Sequence, residues 1–130
     1  MIDLSGKRAL VAGGSRGIGA AIALALAENG ADVAFTYQNS ADKAQAVAAS
    51  IKATGRRAVA VQADSADPMA ITRAVDKAVT ELGGIDILIN SAAIGYYGPI
   101  TELDLGEYQK LMDVNVRAPM LFAKAVIPHL

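Results

Sequence analysis

The sequence has 130 residues, which suits a single domain. Hydrophobic residues make up 53% of it, so a core can be filled, and the formal net charge of −1 argues against nucleic acid as a partner, because no broad basic surface is available. The absence of cysteine excludes a disulfide framework and a thiolate metal site.

The ends of the sequence suggest no membrane association. The first residues include Asp3, Lys7 and Arg8 rather than the apolar segment of a signal peptide, and no apolar run is as long as a membrane span. We therefore expect a cytoplasmic protein that does not enter a membrane. The single histidine, His129, is expected to lie at the surface rather than to bind a metal.

The first predicted elements enclose a glycine-rich turn. Residues 7–12 are apolar after a charged start and predict a buried parallel strand, and residues 16–29 predict a helix. The helical spacing places four residues on its inward face: Ile18, Ile22, Ala25 and Leu26. Between strand and helix runs AGGSRGIG, with glycines at positions 13, 17 and 19.

This turn predicts a phosphate-binding site. A helix begins there with unpaired N–H groups at the positive end of its dipole, and glycines let a pyrophosphate approach the backbone. A phosphate-binding loop of the nucleotide-hydrolase type is excluded, because no Gly-Lys-Ser/Thr follows. The alternative is a tight turn that needs glycine for its own conformation.

The remaining elements continue the alternation of strand and helix. Strands are predicted at residues 32–37, 57–63 and 85–90, and helices at residues 43–54, 68–82 and from 105 to the end. Asp67 with Pro68 begins one helix, and Asp104 with Glu107 forms a capping pair before the last. The whole chain, residues 1–130, thus predicts one α/β domain of the Rossmann type: a doubly wound parallel sheet with strand order 3-2-1-4. A ligand is expected over the carboxyl ends of strands 1 and 4.

The glycine-rich turn resembles the cofactor loop of the short-chain dehydrogenase/reductase family, T-G-x-x-x-G-I-G. Ala12 stands where the family has threonine, while the three glycines and Ile18 match. The resemblance implies a nicotinamide dinucleotide cofactor. Its expected contacts in this loop are Gly13, Ser15, Arg16, Gly17, Ile18 and Gly19.

The end of the second strand favours NADP over NAD. An NAD-binding protein usually has a carboxylate there for the ribose 2′-hydroxyl, but this sequence has Tyr37. Arg16 in the turn, and Asn39, Ser40 and Lys43 beyond the strand, are predicted to receive a 2′-phosphate. The alternative is that Arg16 and Lys43 are solvated surface charges. A methyltransferase with a similar glycine loop would also place an acidic residue at position 37, so Tyr37 argues against one.

The ends of the third and fourth strands carry further predicted contacts. In the family an aspartate after strand 3 meets the adenine ring, which implies this role for Asp64, and the alternative is a loop or cap residue. Ser65, which follows it, is a further predicted cofactor contact. Asn90-Ser91-Ala92-Ala93 resembles the family's Asn-Asn-Ala-Gly and adds Asn90, Ala92 and Ala93 as cofactor contacts.

Asn115 matches the asparagine of the family's catalytic tetrad. Pro119 lies four residues later and has no N–H, which leaves the Asn115 carbonyl free within the predicted helix. Such a carbonyl suits the water of the family's proton relay. The alternative is that Pro119 only kinks a surface helix. Tyr96 and Tyr97 lie on the loop where substrate is expected, but neither is followed by lysine four positions later.

The resemblance covers this whole chain but only the first half of a family member, which continues with a serine and a Tyr-x-x-x-Lys pair. We therefore expect a chain truncated after the fourth βα unit, which binds cofactor without catalysing carbonyl reduction by itself. The last helix has apolar residues on more than one face, and the family's members form tetramers through it, so we expect a homo-oligomer. These apolar residues are Val116, Met120, Leu121, Phe122, Val126 and Ile127.

The resulting hypothesis is a parent protein that is an NADP(H)-dependent oxidoreductase of ketones or secondary alcohols. Its sequence looks most like the 3-oxoacyl-carrier-protein reductases and their relatives, which implies a small-molecule substrate. The alternative is a non-catalytic nucleotide-binding or assembly module.

Overall fold

The computed structural model describes residues 2–130, so that Met1, the first residue of the predicted domain, lies outside it. Four strands alternate with helices, as predicted. The strands are β1 (Arg8–Ala12), β2 (Asp32–Tyr37), β3 (Ala58–Gln62) and β4 (Ile87–Asn90). The helices are α1 (Gly17–Glu28), α2 (Ala41–Ala53), α3 (Pro68–Leu82), α4 (Leu105–Met112) and α5 (Ala118–Val126). A π-helical segment, Asp113–Arg117, joins α4 to α5, and short 3₁₀ turns occupy Ile100–Glu102 and Ile127–His129.

The four strands form a parallel sheet in the order β3-β2-β1-β4, which confirms the predicted topology. In β1, Leu10 pairs with Ala34 on one side and with Leu88 on the other. The chain thus leaves β1 toward β2 in one direction and reaches β4 in the other, so the order reverses at β1. A crevice opens at such a reversal, over the carboxyl ends of the strands.

Both faces of the sheet are covered by helices, because successive side chains of a strand point to opposite faces. Leu10 packs with residues of α3 and α5, such as Val75 and Phe122. The next residue, Val11, packs with residues of α1 and α2, such as Ala23 and Ile51. This doubly wound arrangement confirms the predicted fold class.

The buried face of α1 differs from the prediction. The residues that face the sheet are Gly19, Ala23 and Ala27, whereas Ile18 is 76% exposed and Ala25 is also exposed. Periodicity was a poor guide because α1 is apolar on all sides. Small residues face the sheet because they allow the helix to approach the strands closely.

Two helix starts follow the predicted capping. The Asp67 carboxylate accepts a hydrogen bond from the Met69 N–H at 3.0 Å, with Pro68 as the first helical residue. The Asp104 carboxylate accepts one from the Glu107 N–H at 2.7 Å. The second helix starts at Ala41 rather than at residue 43, which shortens the predicted loop before it.

An ion pair joins Arg8, the first residue of β1, to Asp86, the residue just before β4, at the end of the sheet away from the crevice. The Arg8 guanidinium donates to the Asp86 carboxylate at 3.0 Å and to the Gly83 carbonyl at 2.6 Å. The hydrogen bond from Arg8 lowers the pKa of Asp86 below its ordinary value. Among residues 2–130 no helix is long and apolar enough to cross a membrane, and no group of three or more potential metal ligands occurs.

Candidate cofactor site

A cleft of about 370 Å³ lies over the carboxyl ends of the strands, where the topology predicts a ligand. The glycine loop, the end of β2, the residues after β3 and β4, and the π-helical segment form its walls. The lining residues are Gly13, Ser15, Arg16, Gly17, Ile18, Gly19, Thr36, Tyr37, Gln38, Ala63, Ser65, Ser91, Ala92, Ala93, Ile94 and Val114.

Two glycines of the loop are required by close backbone packing. A Cβ atom on Gly13 would lie 2.7 Å from the backbone nitrogen of Ala92, and the φ of Gly13 is +82°. A Cβ atom on Gly19 would lie 1.9 Å from the Gly13 carbonyl oxygen. Since real Cβ atoms do not approach so closely, both positions are restricted to glycine. The loop thereby lies directly against the residues that follow β4.

The start of α1 presents an electropositive end to the cleft. The helix begins at Gly17, and within the described chain no side chain caps it and its first turn holds no acidic residue. The first N–H groups of a helix have no partner inside the helix, and the dipole is positive there. This end therefore favours an anionic group, as the sequence predicts.

Thr36 is a residue of the cleft that the sequence analysis did not single out. It is 1% exposed, its hydroxyl accepts a hydrogen bond from the Gly13 N–H at 2.9 Å, and its carbonyl accepts one from the Gly14 N–H at 2.9 Å. Both bonds attach the glycine loop to the end of β2. The available signal was a threonine that follows three apolar residues, Val33 to Phe35, near the carboxyl end of the strand.

Only some of the residues that are predicted to surround a 2′-phosphate line the cleft. Arg16 and Tyr37 line the cleft, and Arg16 is the only charged residue among those of the described chain that line it. Asn39, Ser40 and Lys43 lie outside the lining: Asn39 and Lys43 are exposed, and Ser40 precedes α2. Gln38 lines the cleft in their place.

The loop after β3 contributes Ser65 rather than the side chain of Asp64. Ser65 is 8% exposed and lines the cleft, whereas Asp64 is exposed and lies outside the lining. One carboxylate oxygen of Asp64 accepts a hydrogen bond from the Ala66 N–H at 2.8 Å. This is the loop role that the sequence left open as the alternative, and the adenine contact stays a prediction.

Of the contacts predicted at the end of β4, some line the cleft and others do not. Asn90 pairs with Ala12 at the end of β4, is exposed and lies outside the lining, whereas Ala92 and Ala93 line the cleft. Further along this loop, the Tyr96 hydroxyl donates to the Pro99 carbonyl at 2.8 Å, and Tyr97 is 96% exposed. Neither tyrosine is among the lining residues.

Asn115 holds the loop after β4 with its side chain. The Asn115 Oδ1 accepts from the Ile94 N–H at 2.9 Å, and its Nδ2 donates to the Ile94 carbonyl at 2.8 Å. This bidentate contact fixes the backbone of Ile94, which lines the cleft. The catalytic role of the Asn115 carbonyl stays a prediction.

The helix around Asn115 is not the regular one that was predicted. The Ala118 N–H donates to the Asp113 carbonyl, five residues earlier, and residues 113–117 form a π-helical segment. Pro119 has no N–H and cannot complete an α-helical bond to residue 115, which accounts for an irregular turn here. The buried Val114 of this segment lines the cleft.

Known proteins resemble this chain in sequence and in structure. A family model described as short chain dehydrogenase matches residues 7–130. Versicolorin reductase stcU of Emericella nidulans is 41% identical over 127 residues, which are 98% of this chain and 48% of that protein. The chain thus spans about half the length of the curated relatives it matches.

Two solved structures are closely similar. A short chain dehydrogenase from Burkholderia cenocepacia in complex with NADP is 56% identical, with a TM-score of 0.96 over 98% of this chain and 52% of that one. A blue fluorescent protein from a metagenomic library, in complex with NADPH, is 48% identical, with a TM-score of 0.95 over 98% of this chain and 53% of that one.

Replacing the Thr36 side chain should remove the hydrogen bond from the Gly13 N–H and leave the one from the Gly14 N–H intact. In Thr36→Val the Gly13 N–H loses its acceptor, and we expect its hydrogen exchange to become about fivefold faster, since one hydrogen bond contributes about 1 kcal/mol. The Gly14 N–H, which donates to the backbone carbonyl of residue 36, should not change and serves as the internal control. Thr36→Ser should restore slow exchange at Gly13. Equal exchange at Gly13 in wild type and Thr36→Val, measured by NMR, would show that the hydroxyl does not hold the loop.

Proposed function

The chain belongs to the short-chain dehydrogenase family, and on that premise we propose that it forms the NADP(H)-binding half of an oxidoreductase that reduces a ketone or oxidises a secondary alcohol. The observation that carries the proposal is the cleft itself. In the part of the chain that the structure describes, the start of α1 has no side-chain cap and faces the cleft together with the glycine loop, and Arg16 is the only charged residue of the lining. Such a surface is complementary to a phosphate-rich dinucleotide.

The charges around the end of β2 support NADP(H) over NAD(H). Tyr37 occupies the place where a carboxylate would repel a 2′-phosphate, and the Arg16 guanidinium lines the same cleft. The similar structures from B. cenocepacia and from a metagenomic library contain NADP and NADPH, respectively. The residues present therefore fit the phosphorylated cofactor.

This chain's own residues would bind and orient the cofactor rather than complete the reaction. The bound nicotinamide supplies or accepts a hydride. The glycine loop would hold the pyrophosphate and Arg16 the 2′-phosphate, and the loop fixed by Asn115 would border the reacting end. We further propose that the Asn115 carbonyl holds a water for proton transfer. The serine and the Tyr-x-x-x-Lys pair that the resemblance implies are not among these 130 residues, so this stretch by itself should bind without turnover.

The substrate class is a small-molecule carbonyl or alcohol. The resemblance to 3-oxoacyl-carrier-protein reductases suggests a 3-oxoacyl group, and the name of versicolorin reductase stcU marks that relative as a reductase. A cytoplasmic location, and the absence of nucleic acid and membrane partners, belong to the same proposal.

The exposed surface of the last helices supports a homo-oligomer. Four apolar side chains follow one another at intervals of four residues and are 36–54% exposed: Tyr108, Met112, Val116 and Met120. Residues four apart share a helix face, so these side chains form a nearly continuous apolar stripe. Association of copies through this stripe would remove it from water.

Cofactor preference can be measured directly on the full-length protein. We expect NADPH to bind more tightly than NADH, and Arg16→Ala to weaken NADPH binding about tenfold or more, since a charged hydrogen bond contributes about 1.5–3 kcal/mol. NADH binding should change little, because it has no 2′-phosphate. Arg56→Ala, at an exposed turn before β3, is the matched control. Equal or NADH-favouring dissociation constants in wild type would refute the assignment.

Turnover distinguishes the oxidoreductase from a non-catalytic module. The intact mass first shows whether the full-length protein is long enough to include the Ser and Tyr-x-x-x-Lys segment. We expect such a protein to oxidise NADPH when it is mixed with a panel of ketones. We expect residues 1–130 alone to bind NADPH without oxidising it. Full-length protein that binds NADPH but reduces no ketone would instead support a nucleotide-binding or assembly module.

The oligomer can be tested with a charge placed on the apolar stripe. We expect light scattering to give wild type a mass that is a multiple of the chain mass, and Met120→Lys to reduce it, because a lysine ammonium is costly to bury in an apolar contact. Ile100→Lys adds the same charge at an exposed apolar residue outside the stripe and should leave the mass unchanged. A monomeric wild type, or equal masses in all three proteins, would contradict association through this stripe.

A further inference from the structure

Arg117, at the end of the π-helical segment, reaches a loop 51 residues earlier in the chain. One guanidinium nitrogen, Nη2, donates to the Ala66 carbonyl at 2.7 Å. The other, Nη1, lies 3.4 Å from a carboxylate oxygen of Asp113, and that oxygen also accepts a hydrogen bond from Gln109 at 2.7 Å. The guanidinium is thus oriented from one side by α4 and the π segment while it holds Ala66 on the other.

The loop that Arg117 holds is a wall of the cofactor cleft. Ser65, the neighbour of Ala66, is buried and lines the cleft. Within the loop, the Ala66 N–H donates to the Asp64 carboxylate and the Asp67 N–H donates to the Asp64 carbonyl. These bonds shape the turn, but they do not fix it relative to the rest of the molecule. The bond to Arg117 does, because it joins the turn to another element.

The same helical segment holds the opposite wall. Asn115, two residues before Arg117, fixes Ile94 in the loop after β4, and Val114 lines the cleft between them. One turn of helix therefore anchors the loops that follow both edge strands of the sheet, β3 and β4. A rigid element that holds two loops keeps the cleft in one shape.

The Arg117 contact is poorly suited to a purely stabilising role. Its Nε atom is buried, and within residues 2–130 it has no hydrogen-bond partner. A buried donor without an acceptor costs stability. Replacement by methionine, whose unbranched side chain extends as far as the arginine Nε and carries no N–H group, would remove this unsatisfied donor together with the bond to Ala66. The effects on loop position and on overall stability are therefore separable.

We infer that Arg117 is a positioning residue of the cofactor site, which holds the Ser65 wall in place for the adenine half of the dinucleotide without touching it. The inference rests on the proposed binding of NADP(H). Lysine is an incomplete substitute, because a single ammonium does not reproduce the planar fork that contacts Ala66 and Asp113 at once.

The test measures binding and loop protection in the full-length protein with Arg117→Met. We expect NADPH and its adenine half, 2′,5′-ADP, to bind more weakly by similar factors of up to about tenfold, because a loop that has lost one charged hydrogen bond occupies its binding-competent position for a smaller fraction of the time. We also expect faster hydrogen exchange at the Ala66 and Asp67 amides in the ligand-free protein, with little change in the thermal midpoint. Arg117→Lys should give intermediate values.

Arg73→Met is the matched control, since Arg73 lies 3.9 Å from Asp67 at the end of the same loop but is exposed. It should change neither binding nor exchange. Wild-type protein that binds no NADPH would overturn the proposed function and this inference together. Wild-type protein that binds NADPH, with unchanged affinity and unchanged loop exchange in Arg117→Met, would overturn the inference alone. A loss of affinity for NADPH but not for 2′,5′-ADP would also overturn it, because the substitution would then not act through the Ser65 wall, where the adenine half is expected to bind.

Discussion

The cleft depends on the close approach of the glycine loop to the residues after β4. At Gly13 and Gly19 there is no room for a Cβ atom: the first would meet the backbone of Ala92, and the second the carbonyl of Gly13. Because these backbones pack directly on one another, α1 begins at the reversal point of the sheet and its N-terminal N–H groups face the cleft. The small buried residues of α1, Ala23 and Ala27, continue this close packing along the helix. The glycines that the packing of the fold requires are therefore the same ones that are predicted to let a phosphate approach the backbone.

Around that contact, the loops of the cleft are held by side chains from other parts of the chain. Thr36 holds Gly13, Asn115 holds Ile94, and Arg117 holds Ala66. Each of these bonds joins a side chain to the backbone of a loop, so the loop is fixed whatever side chains it carries. Loops fixed before a ligand arrives have less conformational freedom to lose on binding. The π-helical segment supplies two of the three contacts, which gives an irregular turn a structural purpose.

The electrostatics of the cleft are simple. It combines the positive end of a helix with one arginine, and its lining residues within the described chain include no carboxylate. Such a site suits phosphate groups. The tyrosine among its described lining residues, Tyr37, lies at the end of β2, where the 2′-phosphate is expected, and not on the loop after β4, where the substrate is expected. Binding and orientation of a cofactor need different residues from those that transfer a proton. A cleft suited to binding therefore agrees with a chain that spans about half the length of its relatives.

The fold class, the strand order and the place of the cleft could all be predicted from the amino-acid sequence. Alternating apolar segments require a parallel sheet with right-handed crossovers, and AGGSRGIG marks where strand 1 turns into a helix. These features are local patterns or follow from general topological rules, so the positions of Gly13, Arg16, Tyr37 and Ser65 in the cleft were predictable.

The contacts between side chains of different elements could not be predicted in this way. The burial of Gly19 in place of Ile18 depends on how closely α1 approaches the sheet, which the uniformly apolar pattern of α1 does not encode. Thr36, Arg117 and the side-chain role of Asn115 depend on hydrogen bonds between residues 21 to 51 positions apart. Gln38 lines the cleft whereas Asn39 and Ser40, just before α2, do not, and this difference is not visible in the sequence pattern. Periodicity reports the environment of a residue along its own element, whereas these contacts are made between elements, and their geometry exists only once the chain has folded.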